Sequence, residues 1–193
     1  DLTFANALRA VLRQDPDIIA VGEIRDGETA EIAMRAAMTG HLVLTTIHTN
    51  DALSSIDRLL DIGVEPYLIS GAVRGIVSQR LVRKICPRCR QAYTPTEEEA
   101  ALLGLSPGEH RFYRGAGCSE CFGTGYRGRT GVFEILTMTP AIRRAIHRQD
   151  LGELEAAVEQ STFRPILENC AQLVTEGVTS LEEVIRIVGR HGL

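Results

Sequence analysis

The chain has 193 residues, 44% of them hydrophobic and 24% charged, with a net charge of −4. That length can bury a real core and allows one large domain or two small ones, and the composition excludes a fibrous or disordered chain. No apolar run approaches the ~18 residues of a membrane span, no segment reads as a signal peptide, and the net charge is too small to argue for any partner.

In chain order, Thr3 is placed to cap a helix carrying Phe4, Leu8, Val11 and Leu12 on one face, and Asp15-Pro16 ends it. Residues 17–22 form a short apolar run, expected as a buried strand. Asp26 offers a cap for an alanine-rich helix to about Thr39, with Gly40 at its exit. "HLVLTT" (41–46) is the next expected strand, followed by a polar string through Asp51 and a helix ending near Gly63. Strand, helix, strand, polar loop, helix is the grammar of a parallel sheet covered by helices. Pro66 opens a further helix to about Ile76, and the segment 79–85 reads as a strand.

Between Arg74 and Arg90 lie six basic residues (Arg74, Arg80, Arg83, Lys84, Arg88, Arg90) and no acidic one. Such a stripe is either a solvated face or a patch that attracts phosphate, acidic lipid or an acidic protein surface. "TPTEEEAALLGL" predicts a short helix with Thr96 and Glu99 as a capping box, and Ser180 with Glu183 predicts a second. Between them come a glycine-rich turn, a strand alternating Val132, Glu134 and Leu136, and helices from Pro140, over 151–160 and over 166–176. Boundaries near Lys84 and Thr139 divide the chain into 1–84, 85–138 and 139–193.

Two features carry chemistry. Glu23 ends the first apolar strand, with Arg25 close behind, and His48 follows the second strand, flanked by Thr46 and Thr49. In parallel sheets ligands bind beyond the carboxyl ends of the strands. A carboxylate there can orient water or reach Mg²⁺ through water, and a histidine can respond to a phosphate's charge. Each residue alone reads more often as a strand-end charge or an exposed loop side chain, and His41 by default as a satisfied histidine near the core. No G-x-x-x-x-G-K-[ST] phosphate loop occurs.

The second feature is Cys86-Pro-Arg-Cys89 and Cys118-Ser-Glu-Cys121, with 28 residues between the pairs. Two C-x-x-C knuckles suit tetrahedral zinc, with disulfides or a redox dithiol as the alternatives. Cys170, in a helical segment, reads as a small buried hydrophobe.

Four motifs in this order resemble the secretion and pilus-assembly ATPases of bacterial type II secretion and type IV pilus systems. "LRQDPDIIAVGEIRDGETA" resembles their Walker B region and "TGHLVLTTIHTNDA" their histidine box. "CPRC", "CSEC" and "GYRGRTGVFE" resemble their tetracysteine module, and "EGVTSLEEVIR" their C-terminal end. The likeness covers essentially the whole chain and is strongest to the type II secretion branch, with pilus extension and competence ATPases as near relatives.

The resemblance implies an α/β fold, the C-terminal part of a RecA-like P-loop ATPase core, with a zinc-binding tetracysteine module and a helical C-terminal region. It implies Glu23 as the Walker B glutamate, and His48, His41 and Arg25 as nucleotide-sensing residues. Cys86, Cys89, Cys118 and Cys121 would be ligands of a structural zinc. It further implies ATP and Mg²⁺ as cofactors of a longer parent that is a homohexamer on the cytoplasmic face of a bacterial inner membrane. That parent would attach peripherally, through partner platform proteins, and drive pseudopilus assembly. The tetracysteine module argues against pilus retraction, whose ATPases generally lack it. Lacking the phosphate loop, the chain by itself is expected to be inactive. "FRPILENCAQLV" departs from the family's usual pairing there, which blurs the choice of branch.

Two other readings stand beside this one. Cys118 to Gly125 is similar to the C-x-x-C-x-G-x-G knuckles of Hsp40 chaperones, and with the basic stripe would make a zinc-dependent nucleic-acid or protein-binding module. That knuckle occurs once here, aromatics near the stripe are sparse, and no nucleic-acid partner is expected. The other reading is a domain that serves only for interaction.

Overall fold

The computed structural model describes residues 3–106 and 108–189, which form two compact units. Of these residues, the first unit comprises 3–77 and 135–163, the second 78–106, 108–134 and 164–189. This partition cuts across the three consecutive segments expected from sequence. The last third is shared: its first two helices belong to one unit and its last two to the other.

In the first unit, Thr3 caps α1 (Phe4–Val11) by accepting from the N–H of Asn6. A 3-10 turn runs to Gln14, and Asp15 takes a left-handed conformation before Pro16. β1 (Ile18–Val21) and β2 (Leu42–Thr45) pair in parallel, with Ile18 opposite Leu42 and Val21 opposite Thr45. α2 (Gly27–Met38) crosses between them, capped by Asp26, whose carboxylate accepts from the N–H of Thr29. α3 (Ser54–Asp61) and α4 (Pro66–Ala72) follow. α4 stops one turn short of the expected end, because Val73 turns extended and the chain enters a strand at Gly75. After the second unit's segment the chain returns as α6 (Pro140–Arg148) and α7 (Leu151–Glu159), with α6 packing on α4 and α7 on α6.

The buried core of this unit gathers Ile19, Val21, Ala33, Ile56, Leu68, Ile69, Leu136 and Ile142. Only one face of the β1–β2 pair lies on it. Ile18, Leu42 and Leu44 on the other face are half exposed or more, at 60%, 50% and 54%. Strands buried on both faces read as continuous apolar runs, which is how these two read in sequence.

β3 (Gly75–Ile85) and β6 (Tyr126–Thr137) pair with each other. The second unit adds an antiparallel pair absent from the sequence reading, β4 (Arg90–Tyr93) with β5 (Phe112–Gly115), around the short α5 (Glu97–Ala101). The Thr96–Glu99 box is complete, with both reciprocal bonds made. Val82, Phe112, Val132, Cys170, Val174 and Val184 form its core with α8 (Ile166–Thr175) and α9 (Leu181–Val188). The alternation along β6 buries Val132, Glu134 and Leu136. Glu134 earns its inward place by accepting from the N–H of Ile166 at 2.8 Å, at the start of a helix whose preceding Pro165 gives no side-chain cap.

At α9 only half of the expected box forms. Ser180 accepts from the Glu183 N–H, but the Glu183 side chain turns to cations instead. It is fully buried and meets Arg83 and Arg186, accepting also from the Arg83 backbone N–H. Arg83 in turn lies 4.0 Å over the Tyr126 ring, and the Tyr126 hydroxyl is 2.6 Å from Ser180 Oγ. Burial alone would raise the Glu183 carboxyl, but the bonds from Arg186 and Arg83 bring it down to about 2.

Candidate active-site loop and metal centre

Just past the paired strands, the two segments remain tied where the ladder ends. The N–H of Ile24 donates to Thr46 O at 2.9 Å, and the Thr46 hydroxyl donates to Gly22 O at 2.7 Å. Between these bonds stands Glu23. One of its carboxylate oxygens pairs with Arg25 Nη2, and the other lies 3.1 Å from His48 Nε2. The Glu23 side chain is 19% exposed, whereas that of His48 is 87% exposed. The Arg25 guanidinium, aided by His48, holds the Glu23 carboxyl below its usual range against the opposing effect of burial. Glu23 is therefore an ionised acceptor at neutral pH, set at the carboxyl end of a parallel pair.

The structure brings together three of the four residues expected at this site: Glu23, Arg25 and His48. His41 stands at the opposite end of β2, where its Nδ1 and its backbone N–H both donate to Ala36 O, at 3.0 and 3.2 Å. Its work there is to satisfy a carbonyl in the last turn of α2, alongside the Thr39 hydroxyl. Thr49 also turns away, its hydroxyl 2.7 Å from Ser55 Oγ. Of the basic stripe, Arg83 is committed to Glu183, Arg88 pairs with Glu120, and Arg90 stacks on Tyr113. Thr46 at this site, and Glu183 with its two arginines, carry sequence signals only as a polar residue after a strand and as half of a capping box.

In the second unit the four cysteines converge. Their sulfurs all lie within 4.8 Å of one another, with Cys86–Cys118 and Cys89–Cys121 at 3.9 Å and Cys118–Cys121 at 3.7 Å. Zn–S bonds of ~2.3 Å make a tetrahedron with edges of about 3.8 Å, so the spacing fits the ion. It does not fit disulfides, and all four thiols are free.

The backbone shapes the cluster. The N–H of Cys86 donates to Gly125 O, and a Cβ on Gly115 would stand 2.0 Å from that same oxygen, so the two loops approach only because position 115 is glycine. Burial raises the Cys121 thiol, but the N–H groups of Cys118 and Gly125 aimed at its sulfur outweigh this and bring it to about 6. Burial pushes Cys89 up to about 11. A divalent cation among the four would favour the thiolate form of each.

Residues 1–186 match the family described as Type II/IV secretion system protein. The chain belongs to that family. It is 49% identical over 189 residues to Type II secretion system protein E of Pseudomonas aeruginosa, a match covering 97% of this chain and 38% of that protein. It is also 49% identical over 188 residues to the type IV pilus assembly ATPase PilB of Thermus thermophilus, covering 95% of this chain and 21% of that one. Among solved structures, the pilus retraction motor PilT with bound ADP superposes with a TM-score of 0.68 at 31% identity, over 99% of this chain and 45% of that chain. The Legionella pneumophila ATPase DotB gives 0.67 at 22% identity, over 96% and 42%.

The chain thus spans less than two-fifths of the length of these curated relatives. The α/β fold expected from sequence, the C-terminal part of a RecA-like core with a cysteine cluster able to hold metal, is the fold observed. No helix among the described residues is long and apolar enough to cross a membrane.

Proposed function

We propose that this chain is the Walker B and zinc-bearing part of a hexameric ATPase that powers type II protein secretion by assembling a pseudopilus. The observation that carries the reading is the Glu23 carboxylate, ionised and fixed beyond a parallel strand pair between Arg25 and His48. In this role Glu23 accepts a hydrogen bond from the attacking water and turns it toward the terminal phosphate. Bound Mg²⁺ would supply charge neutralisation at that phosphate. His48, largely exposed beside Glu23, is placed to register the phosphate's charge, with Arg25 releasing Glu23 as it does so.

The phosphate-cradling loop belongs to sequence beyond these residues. The half-exposed apolar face of Ile18, Leu42 and Leu44 supports this, as a surface that further strands of the full-length core would cover. Cys86, Cys89, Cys118 and Cys121 would hold one structural zinc, all four positions being filled by protein. The naming of several relatives as type II secretion system proteins supports the secretion role, and the same reading puts the full-length protein with platform proteins at the cytoplasmic face of the inner membrane. The equal identity to a pilus assembly ATPase supports pilus extension as the second reading.

Purified full-length protein should hydrolyse ATP in a Mg²⁺-dependent way, while residues 1–193 alone should not. A full-length protein that binds no nucleotide and shows no turnover, alone or with its membrane partners, overturns the proposal.

A further inference from the structure

The ladder between β1 and β2 ends at Val21 and Thr45, and beyond it the backbone could diverge freely. It does not, because Thr46 grips the segment after β1 twice. Its carbonyl takes the N–H of Ile24 at 2.9 Å, and its hydroxyl reaches Gly22 O at 2.7 Å. The residues on either side of Glu23 are thereby fastened to one partner.

We infer that Thr46 is a positioning residue for Glu23, fixing through its hydroxyl where the glutamate's carboxylate stands in the hydrolytic step; this rests on the reading of Glu23 given above. A base that must hold a water in line tolerates little displacement, and its placement is set by the backbone beneath it as much as by its own rotamer. Arg25 and His48 hold the end of the Glu23 side chain, but both are themselves exposed, with 70% and 87% of their side chains facing solvent. When nucleotide draws either of them away, the Thr46 bonds at the backbone remain to restrain the carboxylate. The hydroxyl does not face Glu23 itself, so Thr46 acts through the chain at Gly22. A threonine suits the task because its β-branch restricts χ1 and keeps the hydroxyl aimed. Thr46 is solvent-exposed, so Gly22 O is rehydrated when the hydroxyl is lost and the fold itself loses little.

The test uses the full-length protein with Thr46→Val, which keeps the branched shape and removes the donor, and Thr46→Ser, which keeps the donor. Expected is a kcat lowered about fivefold in Thr46→Val, equivalent to about 1 kcal/mol, with KM for ATP within about twofold, and recovery of most turnover in Thr46→Ser. In a Glu23→Gln background, Thr46→Val should lower the residual rate no further, because its effect passes through Glu23. Three results overturn the inference while leaving Glu23 in its role: wild-type kcat in Thr46→Val, a raised KM with kcat intact, or full additivity with Glu23→Gln. If Glu23→Gln alone turns over like wild type, the reading of Glu23 falls first and the inference with it.

Discussion

The polar groups beyond β1 and β2 are held from one side and open on the other, while the cysteine cluster is enclosed by its own loops. Glu23 has two partners, one of them 87% exposed, and the sheet beneath it has an uncovered apolar face. The four sulfurs have each other, two N–H donors aimed at one of them, and loops that meet where only glycine fits. The first arrangement suits a site completed by other parts of a larger assembly and rearranged in each cycle. The second suits a fixed structural centre. On the proposed reading, exposure is left where chemistry would occur and withheld where only shape is needed.

The sharpest break in this contrast comes from the metal. Replacing Cys89 and Cys118 by serine removes two of the four sulfurs proposed to hold zinc, and structural zinc sites carry on the order of 10 kcal/mol of folding energy. Zinc should fall from about one per chain to none, and the cooperative melting of residues 78–134 and 164–189 should be lost. Unchanged melting in a metal-free variant would show that the cluster is not structural.

Next in size is Glu183, whose carboxylate is fully buried between two arginines. Glu183→Ala strands Arg83 and should cost about 2 kcal/mol, discounted because both arginines reach solvent. Calorimetry should register this as a drop of several degrees. The pH dependence has a definite sign. The carboxyl sits near 2 when folded, against an ordinary 4.5, so its stabilisation is present above about pH 4.5 and is lost as pH falls toward 2. Wild type should therefore lose more stability over that window than Glu183→Gln, and parallel curves would contradict the ion pairing.

A smaller effect is expected from Gly115→Ala, whose new methyl would meet Gly125 O at 2.0 Å. The loops must part by a fraction of their contact, and zinc affinity should fall about tenfold, since shifting ligand supports costs on that order. An unchanged affinity in a competition titration with a chelator would show that the loops yield freely.

The smallest separates the two histidines. His41→Ala removes a bond to Ala36 O and should lower stability by about 1 kcal/mol with turnover of the full-length protein unchanged. His48→Ala should lower turnover with melting unchanged. The reverse pattern would place His41, not His48, at the nucleotide.

Much of this was legible from residues. The helix caps at Thr3, Asp26 and Thr96 were readable because capping chemistry is local in sequence. Glu23 and His48 were readable because strand ends can be located from the apolar runs that precede them. What escaped depends on long-range partners. His41 and His48 flank the same expected strand, and only the parallel register shows that the His48 end, not the His41 end, lies beside Glu23. Glu183 reads as a capping residue until Arg83, a hundred positions earlier, is brought beside it. β4 and β5 are four residues each, too short and mixed to show a period, and exist by pairing across the cysteine loops. The partition of the last third failed to show because an apolar helix face does not say which core it enters, and α6 and α8 bury theirs in different ones.

The most direct test of the central claim is turnover and nucleotide affinity measured together in full-length Glu23→Gln. Losing the carboxylate that orients the water should lower kcat by about a hundredfold or more, the scale of a positioned general base, while ATP affinity stays within about threefold. Turnover at the wild-type rate, with affinity equally unchanged, would reduce Glu23 to a charge at the end of a strand and contradict the account.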